Sequence, residues 1–345
     1  RRSSGCSTTR HRGQYGRLNR QLHRPRSFLV DPIPRRHFLA SLTAVTTIPA
    51  VSQTVFARPQ LVKTTYVYKT VDKLEIKLDL HRPDDDQTRP LAVWIHGGAL
   101  IMGHRESVPV RVKELLLGAG YAIASIDYRL APETQLPEII TDLEDSFSWL
   151  HKNSARLHLH PGKTVALGGS AGGYLTLTAG FRATPLPRAL VSFWGYGDLV
   201  GDWYSTPSPH ARHHRIKLSA QESFKQVSGP PIADSRDRKG NGGAFYQFCR
   251  REGRWPKEVS GFDPIAMPKK FAPYMPLLNV TPAYPPTLLI HGTTDTDVPY
   301  QQSELMASAL KSANVPHQLH AIGLGRLKNR NFNSNPIFVV HKVYR

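Results

Sequence analysis

The chain has 345 residues, 40% of them hydrophobic, with two cysteines and a formal net charge of +19. Ten arginines against one aspartate fall in residues 1 to 57, and three arginines with two lysines in residues 326 to 345, so the body between carries +5. That balance is ordinary for a soluble domain and removes charge as an argument for nucleic-acid binding.

In chain order, Arg35-Arg36-His37-Phe38-Leu39 precedes a moderately apolar stretch from Ala40 to Val51, and Val55-Phe56-Ala57 ends in a small residue that a signal peptidase accepts. Paired arginines before a weakly hydrophobic core are expected to form a twin-arginine export signal cleaved after Ala57, giving an exported, periplasmic or secreted protein. The apolar stretch is too short and too rich in Thr and Ser to span a bilayer stably. A disordered basic arm is the alternative. No Met precedes Met102, so the natural start is expected elsewhere. Cleavage leaves Cys249 without a partner for an intramolecular disulfide, in keeping with folding in a reducing cytosol before export.

Behind this leader, about 290 residues suit one α/β domain with an insertion. Leu74-Glu75-Ile76-Lys77-Leu78-Asp79-Leu80 alternates apolar and polar residues, as a half-exposed strand near a sheet edge does. Leu91-Ala92-Val93-Trp94-Ile95 is an apolar, β-prone run that ends in His96-Gly97-Gly98-Ala99. Tyr121 to Ile126 is more uniformly apolar, like a central parallel strand. Leu136 to Leu150 carries a helical face of Ile139, Ile140, Leu143, Phe147 and Leu150.

Thr164-Val165-Ala166-Leu167 reads as a buried strand, and Tyr174 to Ala179 continues as a helix. Between them lies Gly168-Gly169-Ser170-Ala171-Gly172. A serine hydroxyl is a poor nucleophile unless it is held exposed beside a base, which a sharp strand-to-helix turn achieves. Ser170 is therefore the candidate nucleophile, with a bystander serine in a glycine-rich loop as the alternative. The bare glycine N–H groups after the earlier strand suit an oxyanion hole, where each fixed donor lowers the barrier by about 3 kcal/mol. Gly97, Gly98 and the N–H of Ala171 are assigned to it, and His96 to holding the loop.

Ala189 to Trp194 reads as a further central strand. Residues 197 to 285 then break the rhythm with Pro, Gly, Arg and His, and carry Trp203, Tyr204, Phe245, Tyr246, Phe248 and Trp255. They read as a cap whose aromatics either line a pocket or pack a small core of their own. His210, His213 and His214 within it read as a solvated loop. No four ligands stand at metal-closing spacing, so neither metal nor cofactor is implied. Leu288-Leu289-Ile290 leads into His291-Gly292-Thr293-Thr294-Asp295-Thr296-Asp297-Val298-Pro299, a loop of carboxylates able to orient a histidine. Asp295 is the candidate acid and Asp297 its competitor. A helix follows over 301 to 313, then a last strand, His317 to Ile322.

With nucleophile, oxyanion loop and acid in this order, residues of about 64 to 325 resemble the α/β-hydrolase superfamily. Ser125-Ile126-Asp127-Tyr128-Arg129-Leu130-Ala131-Pro132-Glu133 is similar to the Y-R-L-A-P-E segment of its hormone-sensitive-lipase-like branch. So are His96-Gly97-Gly98, Gly169-Ser170-Ala171-Gly172-Gly173 and the acid loop ending in Val298-Pro299. The nearest types are bacterial acetyl esterases and feruloyl or acetyl-xylan esterases. The resemblance implies a mostly parallel central sheet with helices on both faces and a cap insertion. It also implies serine carboxylic ester hydrolysis through an acyl-enzyme, on short-chain or carbohydrate-linked acyl esters. A small-molecule ester is the expected partner, with no nucleic acid and no stable membrane span. A serine peptidase of the prolyl-oligopeptidase type shares the same elements.

One departure is serious. The family's catalytic histidine follows the last strand in a glycine-rich loop, where this chain reads Gly323-Leu324-Gly325-Arg326. A guanidinium stays protonated and cannot serve as a general base. His341 and His320 are the substitutes within the chain. The pattern breaks off abruptly after Gly325, as a change of reading frame produces. A catalytically impaired, hydrolase-like binding protein is the other explanation.

Overall fold

The computed structural model of the protein describes residues 60–215 and 217–323. Arg35, Arg36 and Ala57 of the expected leader, and Arg326 and His341 of the tail, lie outside the described residues. Eight strands follow in the chain: β1 (Leu61–Val71), β2 (Leu74–Pro83), β3 (Arg89–Ile95), β4 (Ala122–Ile126), β5 (Leu159–Gly169), β6 (Ala189–Phe193), β7 (Thr287–Gly292) and β8 (His317–Ile322). They form one sheet in the order β1-β2-β4-β3-β5-β6-β7-β8. β1 pairs antiparallel with β2 and β2 with β4, while every pairing from β4 to β8 is parallel.

The interior strands are apolar on both faces because both faces are covered. On β3, Leu91, Val93 and Ile95 enter one core and Ala92 and Trp94 the other. Successive side chains of a strand point to opposite faces, so the two cores lie on opposite sides of the sheet. Helix α1 (Val110–Gly118) places Leu116 in the smaller core. Helices α2 (Leu136–Lys152) and α3 (Ala171–Arg182) pack in the larger one. The segment between β6 and β7 forms four short helices, α4 (Asp202–Ser205), α5 (Ala220–Phe224), α6 (Gly243–Arg251) and α7 (Trp255–Ser260). Helix α8 (Gln301–Ser312) then sends Met306 and Leu310 into the larger core.

Two elements have no strong sequence signal. β1 is exposed along most of its length and α1 buries only Leu116, so neither needs a continuous apolar face. β2 lies near the sheet edge as expected, one strand in, but one of its polar positions is corrected: Asp79 is fully buried, accepting hydrogen bonds from Arg105 Nε at 3.0 Å and Thr65 Oγ1 at 2.7 Å. A buried carboxylate with partners counterfeits the polar position of a half-exposed strand. No described helix is long and apolar enough to cross a membrane.

Candidate active site

The loops leaving the carboxyl ends of β3, β5, β6 and β7 converge on one pocket of about 460 Å³. That edge is where open parallel sheets gather ligand-binding groups. Ser170, Gly98 and Asp295 all line it, together with Trp194 and Asp297. The cap contributes His210, Arg212 and Tyr246.

Ser170 joins β5 to α3 with φ 57° and ψ −122°, a conformation unfavourable for a residue with a Cβ. Its N–H donates to Phe193 O and its carbonyl accepts from Tyr174 N–H, each at 2.9 Å, so the turn is held from both sides. The turn demands glycine two residues on. A Cβ on Gly172 would stand 2.1 Å from Ile95 O. Beside it, Gly98 has φ +111°, and a Cβ there would meet Met102 O at 2.1 Å. Among the described residues the backbone N–H groups of Gly97, Gly98 and Ala171 have no hydrogen-bond acceptor. Gly97 and Ala171 flank the lining residues Gly98 and Ser170 in the chain. His96 is buried, stacks on Tyr128 at 4.2 Å and hydrogen-bonds through Nδ1 to Gly97 O at 2.8 Å. Burial pushes its ring down to about 4, so it stays neutral as a support for the loop.

The two acids are in different hands. Asp295 Oδ1 accepts the N–H groups of Asp297 and Val298 at 2.9 and 3.1 Å, which shapes its own loop, and Oδ2 lies 3.7 Å from His291 Nε2. Burial raises its carboxyl, but His291 and those two N–H groups outweigh it and leave it below the usual carboxylate range. Asp297, on the loop after β7, is held by the cap. It accepts from Tyr246 OH at 3.0 Å, pairs with Arg212 and with His213 Nε2 at 3.1 Å, and has Arg250 Nη1 4.0 Å away. Burial again opposes ionisation, yet His213, Arg212 and Arg250 hold its carboxyl at about 2.

One of the cap's histidines, His213, corrects the expectation of a solvated loop, while His214 is exposed as expected. His213 is fully buried against Asp297 and Ser208, and His214 Nε2 lies 2.7 Å from Ser208 O. His210 faces the pocket, its Nδ1 3.3 Å from Thr296 Oγ1. The cap aromatics divide. Tyr246 lines the pocket, whereas Trp255, Tyr204 and Phe245 are buried, with Trp255 stacked on Tyr204 at 3.8 Å. His320 is exposed on β8 and does not line the pocket. Among the described residues no cluster of His, Cys, Asp or Glu is placed to hold a metal ion.

Residues 78–191 match the BD-FAE family and residues 249–323 the prolyl oligopeptidase family. A non-reducing polyketide synthase of Penicillium roqueforti is 27% identical over 309 residues, covering 75% of this chain. The chain spans 12% of that protein's length. An α/β-hydrolase superfamily protein from Enterococcus faecalis superposes with a TM-score of 0.58 at 21% identity, over 82% of this chain and 97% of that one. An acetyl ester-xyloside bifunctional hydrolase from Caldicellulosiruptor lactoaceticus gives 0.56 at 18% identity, over 81% and 94%. The chain has the α/β-hydrolase fold. As is usual in this fold, the candidate groups ride on loops at one edge of a rigid sheet. Trp194, His210 and Arg212 escape sequence reasoning as pocket residues, since only folding brings them to Ser170. Trp194 alone leaves a trace in the sequence, as a large aromatic at the carboxyl end of an apolar run, and the structure holds it at φ 39° and 44% exposed.

Proposed function

We propose that the chain is a serine carboxylic ester hydrolase acting on short-chain or carbohydrate-linked acyl esters. The observation that carries this is Ser170, held at φ 57° on the β5–α3 turn and facing the same pocket as Gly98 and Asp295. Ser170 Oγ attacks the ester carbonyl as a base takes its proton, and the N–H groups of Gly97, Gly98 and Ala171 receive the oxyanion. The adduct collapses with the alcohol leaving on the returned proton, and water, deprotonated by the same base, then releases the acid and restores the serine. Asp295 orients the imidazole that takes the serine proton, because Asp297 is committed to the cap. Among the described residues the imidazole on the pocket wall is His210. Support for acetyl or sugar-linked esters comes from the name of the Caldicellulosiruptor neighbour and from the exposed Trp194 indole, which offers a flat apolar wall. Export through the twin-arginine route belongs to the same proposal and rests on Arg35-Arg36 and Ala57.

Hydrolysis of p-nitrophenyl acetate by the chain, beside Ser170→Ala, His210→Ala and Arg326→His, tests this reading. Activity lost in Ser170→Ala and His210→Ala assigns nucleophile and base. Activity that appears only with Arg326→His puts the base after β8. Equal turnover of the matching p-nitroanilide favours the peptidase reading, to which the prolyl oligopeptidase match over residues 249–323 points. A second reading, a binding protein of this fold, is favoured by Arg326 at the expected histidine position. Ester binding without turnover, unchanged in Ser170→Ala, supports it.

A further inference from the structure

The loop that carries Gly98 continues through Ala99, Leu100 and Ile101, all buried, and Ala99 and Leu100 hold φ of 58° and 60°. Its inner bonds are few: Gly98 O accepts the N–H groups of Ile101 at 3.0 Å and Met102 at 2.8 Å. A buried carbonyl left without a donor is costly, so the partners of the next three decide whether this shape persists. Each is supplied from outside the loop. Trp255 Nε1 donates to Ala99 O at 2.9 Å, Ala131 N–H to Leu100 O at 2.8 Å, and the Arg238 guanidinium to Ile101 O. Ser235 Oγ accepts the Gly103 N–H at 3.1 Å. Trp255, Arg238 and Ser235 all belong to the cap.

Trp255 is 1% exposed and fixed between its stack on Tyr204 and an edge contact with Tyr196 at 6.2 Å. Arg238 is fixed by a buried ion pair with Glu133 and a bond to Ala131 O at 2.7 Å. The donors are thus rigid, and the loop they grip is the one strained at two consecutive residues.

We propose that Trp255 is a positioning residue for the oxyanion hole, with Ser235 as its weaker partner. The cap, beyond shaping the pocket, fixes where the Gly97 and Gly98 N–H groups point. This rests on the reading that Ser170 attacks and that those groups receive the oxyanion. A group that stabilises charge only in the transition state acts on kcat rather than on ground-state binding. Removing one oxyanion donor outright costs roughly 100-fold or more, so loosening the loop that carries two of them is expected to cost about 10-fold.

Trp255→Phe keeps a ring on Tyr204 and removes the N–H; Ser235→Ala removes the hydroxyl at the other end of the loop. Both are compared with the unaltered chain and Ser170→Ala, after circular dichroism confirms folding at the assay temperature. Two quantities are read: kcat and KM for p-nitrophenyl acetate, and the Kd of phenylboronic acid, whose tetrahedral serine adduct places an oxygen in the hole. The expected result for Trp255→Phe is a fall in kcat of about 10-fold, KM within twofold, and a boronate Kd raised by a similar factor. Ser235→Ala is expected to move the same two quantities about threefold, and carries the test if Trp255→Phe does not fold. Unchanged kcat and boronate Kd in the folded variants, or a rise in KM alone, overturn the proposal. Boronate binding that survives in Ser170→Ala overturns the underlying reading, and the proposal with it.

Discussion

The sheet edge and the cap meet at one pocket but are held by different forces. The edge is built of backbone. β3, β5 and β6 pair in parallel register, and the turns leaving them are set by glycines that no side chain can replace. The cap has short helices and little regular pairing. It is tied down by long polar side chains that reach other segments' carbonyls and carboxylates, among them Arg238, Trp255, Tyr246 and the buried Arg250. Arg250 Nη2 donates to Asp297 O at 3.0 Å while its guanidinium lies 4.6 Å above the Tyr204 ring. The difference teaches that the edge resists through steric exclusion, which no solvent condition relaxes, and the cap through charge, which pH can remove.

Four changes break or sharpen that contrast. Ser170→Ala is expected to lower p-nitrophenyl acetate turnover at least ~1000-fold, because no neighbouring group supplies a second nucleophilic hydroxyl in the strained turn. Gly172→Ala forces a Cβ to within 2.1 Å of Ile95 O and is expected to cost about 3 kcal/mol, read by urea unfolding at neutral pH and insensitive to pH.

The cap gives the opposite signature. The Asp297 carboxyl titrates at about 2 in the folded protein, below its unfolded value near ~4. Its contribution is therefore fully present above about pH 4 and is lost as pH falls through about 2. With its side chain 23% exposed, the loss is expected to be about 2 kcal/mol, measured as the difference between pH 5 and pH 2 unfolding in the natural chain and in Asp297→Asn. Equal pH slopes in the two proteins would break the comparison. The smallest effect is Trp194→Ala, expected to raise KM for p-nitrophenyl acetate about fivefold with kcat within twofold, since the exposed indole lines the pocket without holding the turn.

Much of the edge was legible in the sequence. Apolar runs ending in Gly97-Gly98 and in Gly168-Gly169-Ser170 announce strands that stop at a functional turn, and β8 falls on His317–Ile322 as its pattern requires. Both acids singled out in the sequence, Asp295 and Asp297, line the pocket; Asp295 also shapes its own loop, and Asp297 is gripped by the cap. Periodicity failed where the signal lies in partners rather than order. Asp79 looks like a solvent-facing residue and is buried on Arg105, and His213 looks like part of a polar loop and is buried on Asp297. Trp255 reads equally as pocket wall or cap core from its residue type, and only the direction of its indole N–H, toward Ala99 O, gives it a task.

The convergence on Asp297 also bears on how such proteins can be recombined. The groups that grip it stand 51 and 85 positions earlier in the chain, at Tyr246 and Arg212, whereas the carboxylate itself sits on the loop after β7. An insertion cut out at β6 and β7 and grafted onto another protein of this fold carries its phenol and guanidinium but leaves their shared anchor behind. A chimera that exchanges the segment together with that loop keeps lock and key in one piece of sequence.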